Sequence, residues 1–276
     1  MTRRGRSSWV RRAAALLAVA AGVWVALQWP VHTTQGINFH VTASRLPLYM
    51  KLLRFVARDA EYRLLAADVT RGSRDEEEKL LRLLRWVRTH IQARIPDGMP
   101  IVDDHVWHII IRGYGAPDQL ADVLATLCVY AGLPADLLML RPPGRTQPAY
   151  ALTMVRLRSP AFARSPGLQP GEARGQVPRS PDRGAPRWYL VDPYYGVVVR
   201  DAEGWMVPME ELLAHRELIR QTAPGSTRDG LEYADVYGWI SEQPVRRELR
   251  PYRHMPLARA WFAMARGLRA LWGAGQ

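Results

Sequence analysis

The sequence predicts an α+β chain: one N-terminal membrane helix, then a domain with a helical N-terminal half and an antiparallel sheet. Three observations lead there. An uncharged run, Ala13 to Trp29, follows five arginines. Apolar residues then recur at helical spacing as far as Ala131, and beyond that point they gather in short β-rich runs. At 48% hydrophobic and 23% charged, the 276-residue chain has ordinary globular composition and a length that suits one or two domains.

Arg3, Arg4, Arg6, Arg11 and Arg12 make residues 1–12 a basic n-region, and residues 13–29 read as a signal anchor closed by Pro30. As a helix that run rises ~25 Å, close to the ~30 Å of a bilayer's hydrocarbon core. The positive-inside rule keeps the arginines in the cytoplasm and sends everything after Pro30 to the periplasmic or extracellular side. Ala18-Val19-Ala20 has the form of a cleavage site. Cleavage there would leave an apolar stretch of about five residues where 7–15 are expected, so an uncleaved single-pass anchor is predicted. Trp24 and Trp29 suit the interfacial belt on the exit side.

Residues 46–68 read as a helix on Leu48, Leu52, Phe55, Val56, Tyr62 and Leu65, broken by Arg71-Gly72. Ser73 and Glu76 have the spacing of a capping box and lead into Leu80, Leu83, Leu84, Val87 and Ile91 on one face, ending before Pro96-Asp97-Gly98. The acids Glu76, Glu77 and Glu78 complement the helix dipole there. Val106 to Ile111 is ambiguous between strand and helix. Asp118 to Ala131 carries Leu120, Val123, Leu124 and Leu127 at helical spacing, with Gly132 as its stop. Strands are predicted at Leu137–Leu140, Tyr150–Leu157 and Trp188–Val191, followed by a hairpin of Gly196–Arg200 and Trp205–Val207. The domain is placed at residues 46–245. Within it, residues 158–187 are rich in proline, glycine and arginine and read as a disordered insertion.

The net charge of +12 suggests a polyanion partner until it is counted by position. Residues 1–58 hold nine basic residues and no acid, 156–187 net +5 and 246–276 net +6, which leaves an acidic body. The arginine-rich stretches lack interleaved aromatics, and the export signal further counts against nucleic acid. Residues 246–276 read as a basic amphipathic helix. Over 257–272, Leu257, Trp261, Met264, Leu268, Leu271 and Trp272 share one arc opposite Arg259, Arg266 and Arg269, a pattern that fits a membrane surface or the protein's own core.

A single cysteine, Cys128, excludes an intrachain disulfide framework and multi-cysteine metal sites. Gly113-Tyr114-Gly115 opens like a dinucleotide loop, but the third glycine slot is Asp118, whose carboxylate would repel a pyrophosphate. His105 and His108, beside Asp103 and Asp104, could in principle hold zinc. They match no metal motif, and neither a metal nor a cofactor is assigned.

Four fragments in order, between Glu76 and Arg200, resemble the transglutaminase-like superfamily, whose core is the papain-like cysteine-protease fold. They are Trp86-Val87-Arg88 with Ile91; Gly113-Tyr114-Gly115-Ala116-Pro117-Asp118-Gln119-Leu120-Ala121; Ala131-Gly132-Leu133-Pro134-Ala135; and Trp188-Tyr189-Leu190-Val191-Asp192-Pro193. The resemblance implies Cys-His-Asp chemistry, in which a thiolate attacks an amide and a carboxylate orients the imidazole. Here the cysteine slot is Pro117 and the histidine slot Tyr150; Asp192 alone remains. Proline is tolerated in a first helical turn, so the fold survives the loss. Cys128 lies three turns further along the same helix, ~16 Å away, where a buried core thiol is expected.

The resemblance therefore implies a catalytically inactive, membrane-anchored binding or scaffolding module facing the cell envelope. Its ligand would be a peptide, a glycan or a partner envelope protein, met at a cleft of Tyr114, Asp118, Gln119, Trp188 and Tyr194. A Tyr150 hydroxyl bonded to Asp192 would hold the former site closed. The alternative is an active cysteine-protease-like amidase or transglutaminase that uses an unconventional residue.

Overall fold

The computed structural model describes residues 3–37, 40–98, 105–140, 150–158, 185–222, 225–227, 232–242, 247–248 and 261. Helix α1 (Arg3–Leu27) leads into a hairpin of β1 (Pro30–Ile37) and β2 (His40–Pro47), paired from Pro30 opposite Pro47 to Ile37 opposite His40. No strands were expected here. The hairpin returns the chain to its point of departure. Thus the Leu48 N–H, at the start of α2 (Leu48–Val69), donates to the Trp29 carbonyl at 2.9 Å, and Lys51 Nζ donates to the His32 carbonyl at 2.8 Å.

Among the described residues no helix is long and apolar enough to cross a membrane. The expected span of 13–29 is shortened because α1 stops at Leu27 and Pro30 starts a strand. From Ala13 to Leu27 the helix rises ~22 Å, less than the ~30 Å hydrocarbon core.

α2 and α3 (Glu76–His90) pack against each other and both against α5 (Pro117–Tyr130), which α4 (Val106–Arg112) also meets. The ambiguous run before Gly113 is therefore helical. The cap of α3 is not Ser73: the Asp75 carboxylate accepts the Glu78 N–H at 2.7 Å, and Glu78 Oε2 accepts the Arg74 N–H at 2.8 Å. With Asp75 as the cap and Glu78 as its reciprocal partner, the capping register lies two residues beyond Ser73 and Glu76. The first-turn acids also do more than complement the dipole, since Glu76 accepts the Arg158 N–H and Glu77 pairs with Arg200 at 2.8 Å. Leu80, Leu83 and Val87 are fully buried, each stabilising the fold by ~1.5–3 kcal/mol relative to exposure. In α2 the buried residues are Asp59, Tyr62 and Ala66, whereas Leu52 and Val56, expected on its core face, are exposed. Asp59 ties α2 to α5 by accepting from Arg63 Nε at 2.7 Å and the Tyr130 hydroxyl at 2.9 Å.

The main sheet is antiparallel, in the order β6 (Val197–Val198), β5 (Pro186–Asp192), β4 (Tyr150–Arg158), β3 (Ala135–Leu140), β7 (Arg247–Glu248). The predicted hairpin after Gly196 is reduced to β6 and a bridge between Arg200 and Met206. One face of the sheet carries α5, through Val155, Leu157, Tyr189 and Val191. The other, with Leu138, Tyr150, Leu152, Met154 and Leu190, is covered by α6 (Met209–Ala214), α7 (Glu217–Thr222) and α8 (Tyr233–Glu242). The central strand is thus covered on both sides, and Tyr150 to Val155 are all buried. Helix α5 is buried continuously from Gln119 to Cys128.

Of the expected insertion 158–187, the ends belong to β4 and β5, and 159–184 lies outside the described residues. So does the 257–272 amphipathic segment, apart from Trp261, which is helical and exposed.

Candidate functional site

The loop ahead of α5 is stitched to the end of α3. The Gln92 N–H donates to the Gly113 carbonyl at 2.8 Å, and the Gly115 N–H donates back to the Gln92 carbonyl at 3.1 Å. Gly113 takes the left-handed conformation, φ 73°, that ends α4. Pro117 sits in the first turn of α5 after Ala116, a position where its missing N–H is not needed. Gln119 Oε1 accepts the Ala116 N–H at 3.0 Å and an Arg112 N–H; Arg112 Nε donates to the Tyr114 carbonyl at 2.9 Å, and its guanidinium lies 5.5 Å from the Tyr114 ring centre. Gln119 and Tyr114, expected to face a ligand, are buried and committed to closing this loop. Pro117 and Asp118 remain half-exposed.

Asp192 ends β5 and is buried. Its Oδ1 accepts the backbone N–H groups of Tyr194 (2.8 Å) and Tyr195 (3.0 Å), and its Oδ2 accepts the Tyr233 hydroxyl at 2.6 Å. Burial raises its pKa above the ordinary carboxylate value, against the opposing pull of the Tyr233 hydroxyl, the two N–H groups and the Arg88 guanidinium. Burial likewise pushes Tyr233 and Tyr237 up, so both phenols stay protonated. The expected Tyr150–Asp192 bond gives way to one from Tyr233: the hydroxyl on the carboxylate comes from α8, while the Tyr150 ring packs edge-on to Trp239 at 5.8 Å. Tyr233 is absent from the site expected on sequence grounds. Its one signal there is the spacing of Tyr233, Tyr237 and Ile240, an apolar face carrying two polar tips.

Strand alternation directs Tyr150 and Asp192 to the α8 side of the sheet. Helix α5 lies on the other side, where Thr153 Oγ1 donates to the Ala121 carbonyl at 3.0 Å and Ala151 packs with Ala121. The remaining expected cleft residues divide similarly: Tyr194 packs toward the α5 side and Trp188 toward α8. Arg88 bears on this region from α3, and a Cβ on Gly196 (φ 73°) would come within 2.0 Å of its Nη1.

Cys128 is fully buried, and burial pushes its thiol pKa up, so it is held protonated. His105 bonds Arg58 at 2.8 Å and accepts the Trp107 N–H. Asp103 and Asp104 lie outside the described residues, among which no cluster of three metal-ligating side chains occurs.

Residues 63–193 match the model of the transglutaminase-like superfamily. This segment is similar to a transglutaminase-like domain. The match covers just under half of the chain and runs from within α2, earlier than the first fragment noted above, to the residue after Asp192. A solved structure from Parabacteroides distasonis, described provisionally as a protease, aligns at 16% identity with a TM-score of 0.29, over 46% of this chain and 34% of its own. The chain thus spans about a third of that protein's length. Among curated proteins none matches. At the position that the resemblance gives to the aspartate, what bonds the carboxylate is a phenol and two backbone amides, with the Arg88 guanidinium acting on it electrostatically.

Proposed function

We propose that this is a membrane-tethered, catalytically inactive transglutaminase-like protein, a binding or scaffolding module on the exported side of the membrane. The observation that carries this is Pro117 in the first turn of α5, at the slot that the family resemblance gives to the nucleophile. Proline offers no nucleophile, and the chain's one thiol is buried in the same helix with a raised pKa. The peptide, glycan or partner envelope protein would be met on the α5 side, around half-exposed Asp118 and Tyr194, with Tyr114 and Gln119 supporting the loop from within; Trp188, on the α8 side, falls outside that surface.

The tether reading rests on α1. Leu16, Leu17, Val19, Val23, Trp24 and Val25 are all exposed, so the helix has no protein partner for its apolar surface among the described residues. A stretch shorter than the bilayer is accommodated by local thinning and by Arg11 and Arg12 snorkelling to the cytoplasmic interface.

Two experiments test the reading. The purified full-length chain is incubated with amide substrates, with and without an amine acceptor. No hydrolysis or crosslinking is expected, and turnover by the wild type would refute inactivity, with Cys128→Ala then showing whether that thiol is responsible. The tether is tested by extraction: the protein should stay with membranes through high-salt washing and leave only with detergent. Release by salt refutes it.

A further inference from the structure

The first half of α2, like α1, leaves much of its apolar surface exposed. From Leu48 to Arg58 it contains no buried residue, and Tyr49, Leu52, Leu53 and Val56 are all exposed, Leu53 at 65%. At 100° per residue these four fall within an arc of about 100°. That arc is centred about a quarter of a turn from the face bearing Asp59, Tyr62 and Ala66, which it adjoins at Leu52. Lys51, Arg54 and Arg58 lie diametrically opposite it, with Lys51 bonded to the His32 carbonyl and Arg58 to His105, and no acid precedes Asp59. An apolar face with aromatic and leucine side chains, backed by a purely cationic one, is the design of a helix lying in a lipid headgroup layer.

Position points to the same occupant. The β1–β2 hairpin brings the start of α2 against the end of α1, with the Leu48 N–H bonded to the Trp29 carbonyl. Exposed Trp24 and Trp29 lie at that end. We propose that the N-terminal half of α2 lies on the outer surface of the same bilayer, its Tyr49–Leu52–Leu53–Val56 face seated among acyl chains and headgroups and its cationic face turned to water. This rests on the tether reading for its placement, though not for its chemistry. It would set the domain's orientation: the helix enters the body at Asp59, so the body would be held close to the membrane surface and not on a free stalk.

The test uses the full chain with single nitroxide labels at Leu53→Cys, Val56→Cys, Arg54→Cys and Leu16→Cys, buried Cys128 remaining unlabelled. These sites are exposed, and circular dichroism verifies folding. In vesicles of phosphatidylethanolamine and phosphatidylglycerol, labels at 53 and 56 should show a several-fold higher ratio of oxygen to water-soluble nickel-complex accessibility than the label at 54. If 53 and 56 match 54 while 16 is buried in lipid, the surface contact is refuted and the tether stands. If 16 is aqueous, the tether fails, and a lipid signal at 53 and 56 still supports the contact. Shielding of 53 and 56 from both reagents, with spin–spin broadening between chains, would assign the face to a second copy and overturn the proposal.

Discussion

Replacing Tyr233 with phenylalanine removes one oxygen and tests how the carboxylate is held. The hydroxyl lies 2.6 Å from Asp192 Oδ2, with Tyr233 1% and Asp192 2% exposed, so water does not replace it freely. A hydrogen bond to a charged acceptor contributes ~1.5–3 kcal/mol. Oδ1 keeps its two backbone donors, and the Tyr237 hydroxyl, 3.4 Å from that of Tyr233, can move toward the gap. The loss is therefore placed at the lower end, about 1.5–2 kcal/mol, or roughly 3–8 °C in Tm for a domain of this size. The pH dependence adds a sharper criterion. Because burial raises the Asp192 pKa above its ordinary 3.8, the folded state holds this proton more tightly than the unfolded state. Its contribution to stability accordingly falls as pH rises from the ordinary value through the folded one. Removing the hydroxyl takes away a group that favours the charged form, so the Tyr233→Phe cost should be small in acid and grow toward neutrality. Urea unfolding of wild type, Tyr233→Phe, Asp192→Asn and the double variant measures this. Asp192→Asn should abolish this component of the pH dependence and cut the Tyr233→Phe cost to below ~1 kcal/mol, the range of a neutral bond. A cost independent of pH, or unchanged in the Asp192→Asn background, would refute the account.

Gly196→Ala should cost about 1–2 kcal/mol by equilibrium unfolding, since a Cβ at φ 73° is strained and displaces the Arg88 guanidinium; a neutral result would show that this turn relaxes freely. Asp75→Ala should cost ~1 kcal/mol and Ser73→Ala only a few tenths, because the Asp75 side chain caps α3; the reverse order would restore the capping box expected from the sequence. Cys128 should resist an aromatic disulfide reagent in the native protein and react once per chain in denaturant, as a buried, protonated thiol requires. Native reactivity on the timescale of an exposed thiol would disprove that.

The helices were legible in the sequence where one face is buried and the other wet: Leu80, Leu83, Leu84 and Val87 marked α3, and the reading of its start erred only in the cap, which is Asp75 and not Ser73. The strands β3 to β5 were legible as apolar runs bounded by turns, though the run in β4 could not reveal which face met which helix. That depends on α8, whose short, tyrosine-rich sequence carries little periodic signal until the sheet it covers is known. The hairpin β1–β2 went unnoticed because polar residues such as His32 and Arg45 interrupt any apolar alternation. In α2, Leu52 and Val56 looked like core because periodicity reports an apolar face without saying what covers it. At the site, the fates of Pro117 and Cys128 followed from position along a helix, which sequence counts directly. The partner of Asp192 did not, because Tyr233 is a long-range neighbour.

That partner makes Asp192 a clasp between β5 and α8. With Oδ1 taking two backbone amides and Oδ2 a phenol, three of the roughly four acceptor positions of the carboxylate are spoken for. A histidine introduced at position 150 would find this carboxylate already anchoring α8. Freeing it for another partner would require a change in α8, on the far side of the sheet from α5, and that change carries its own stability cost.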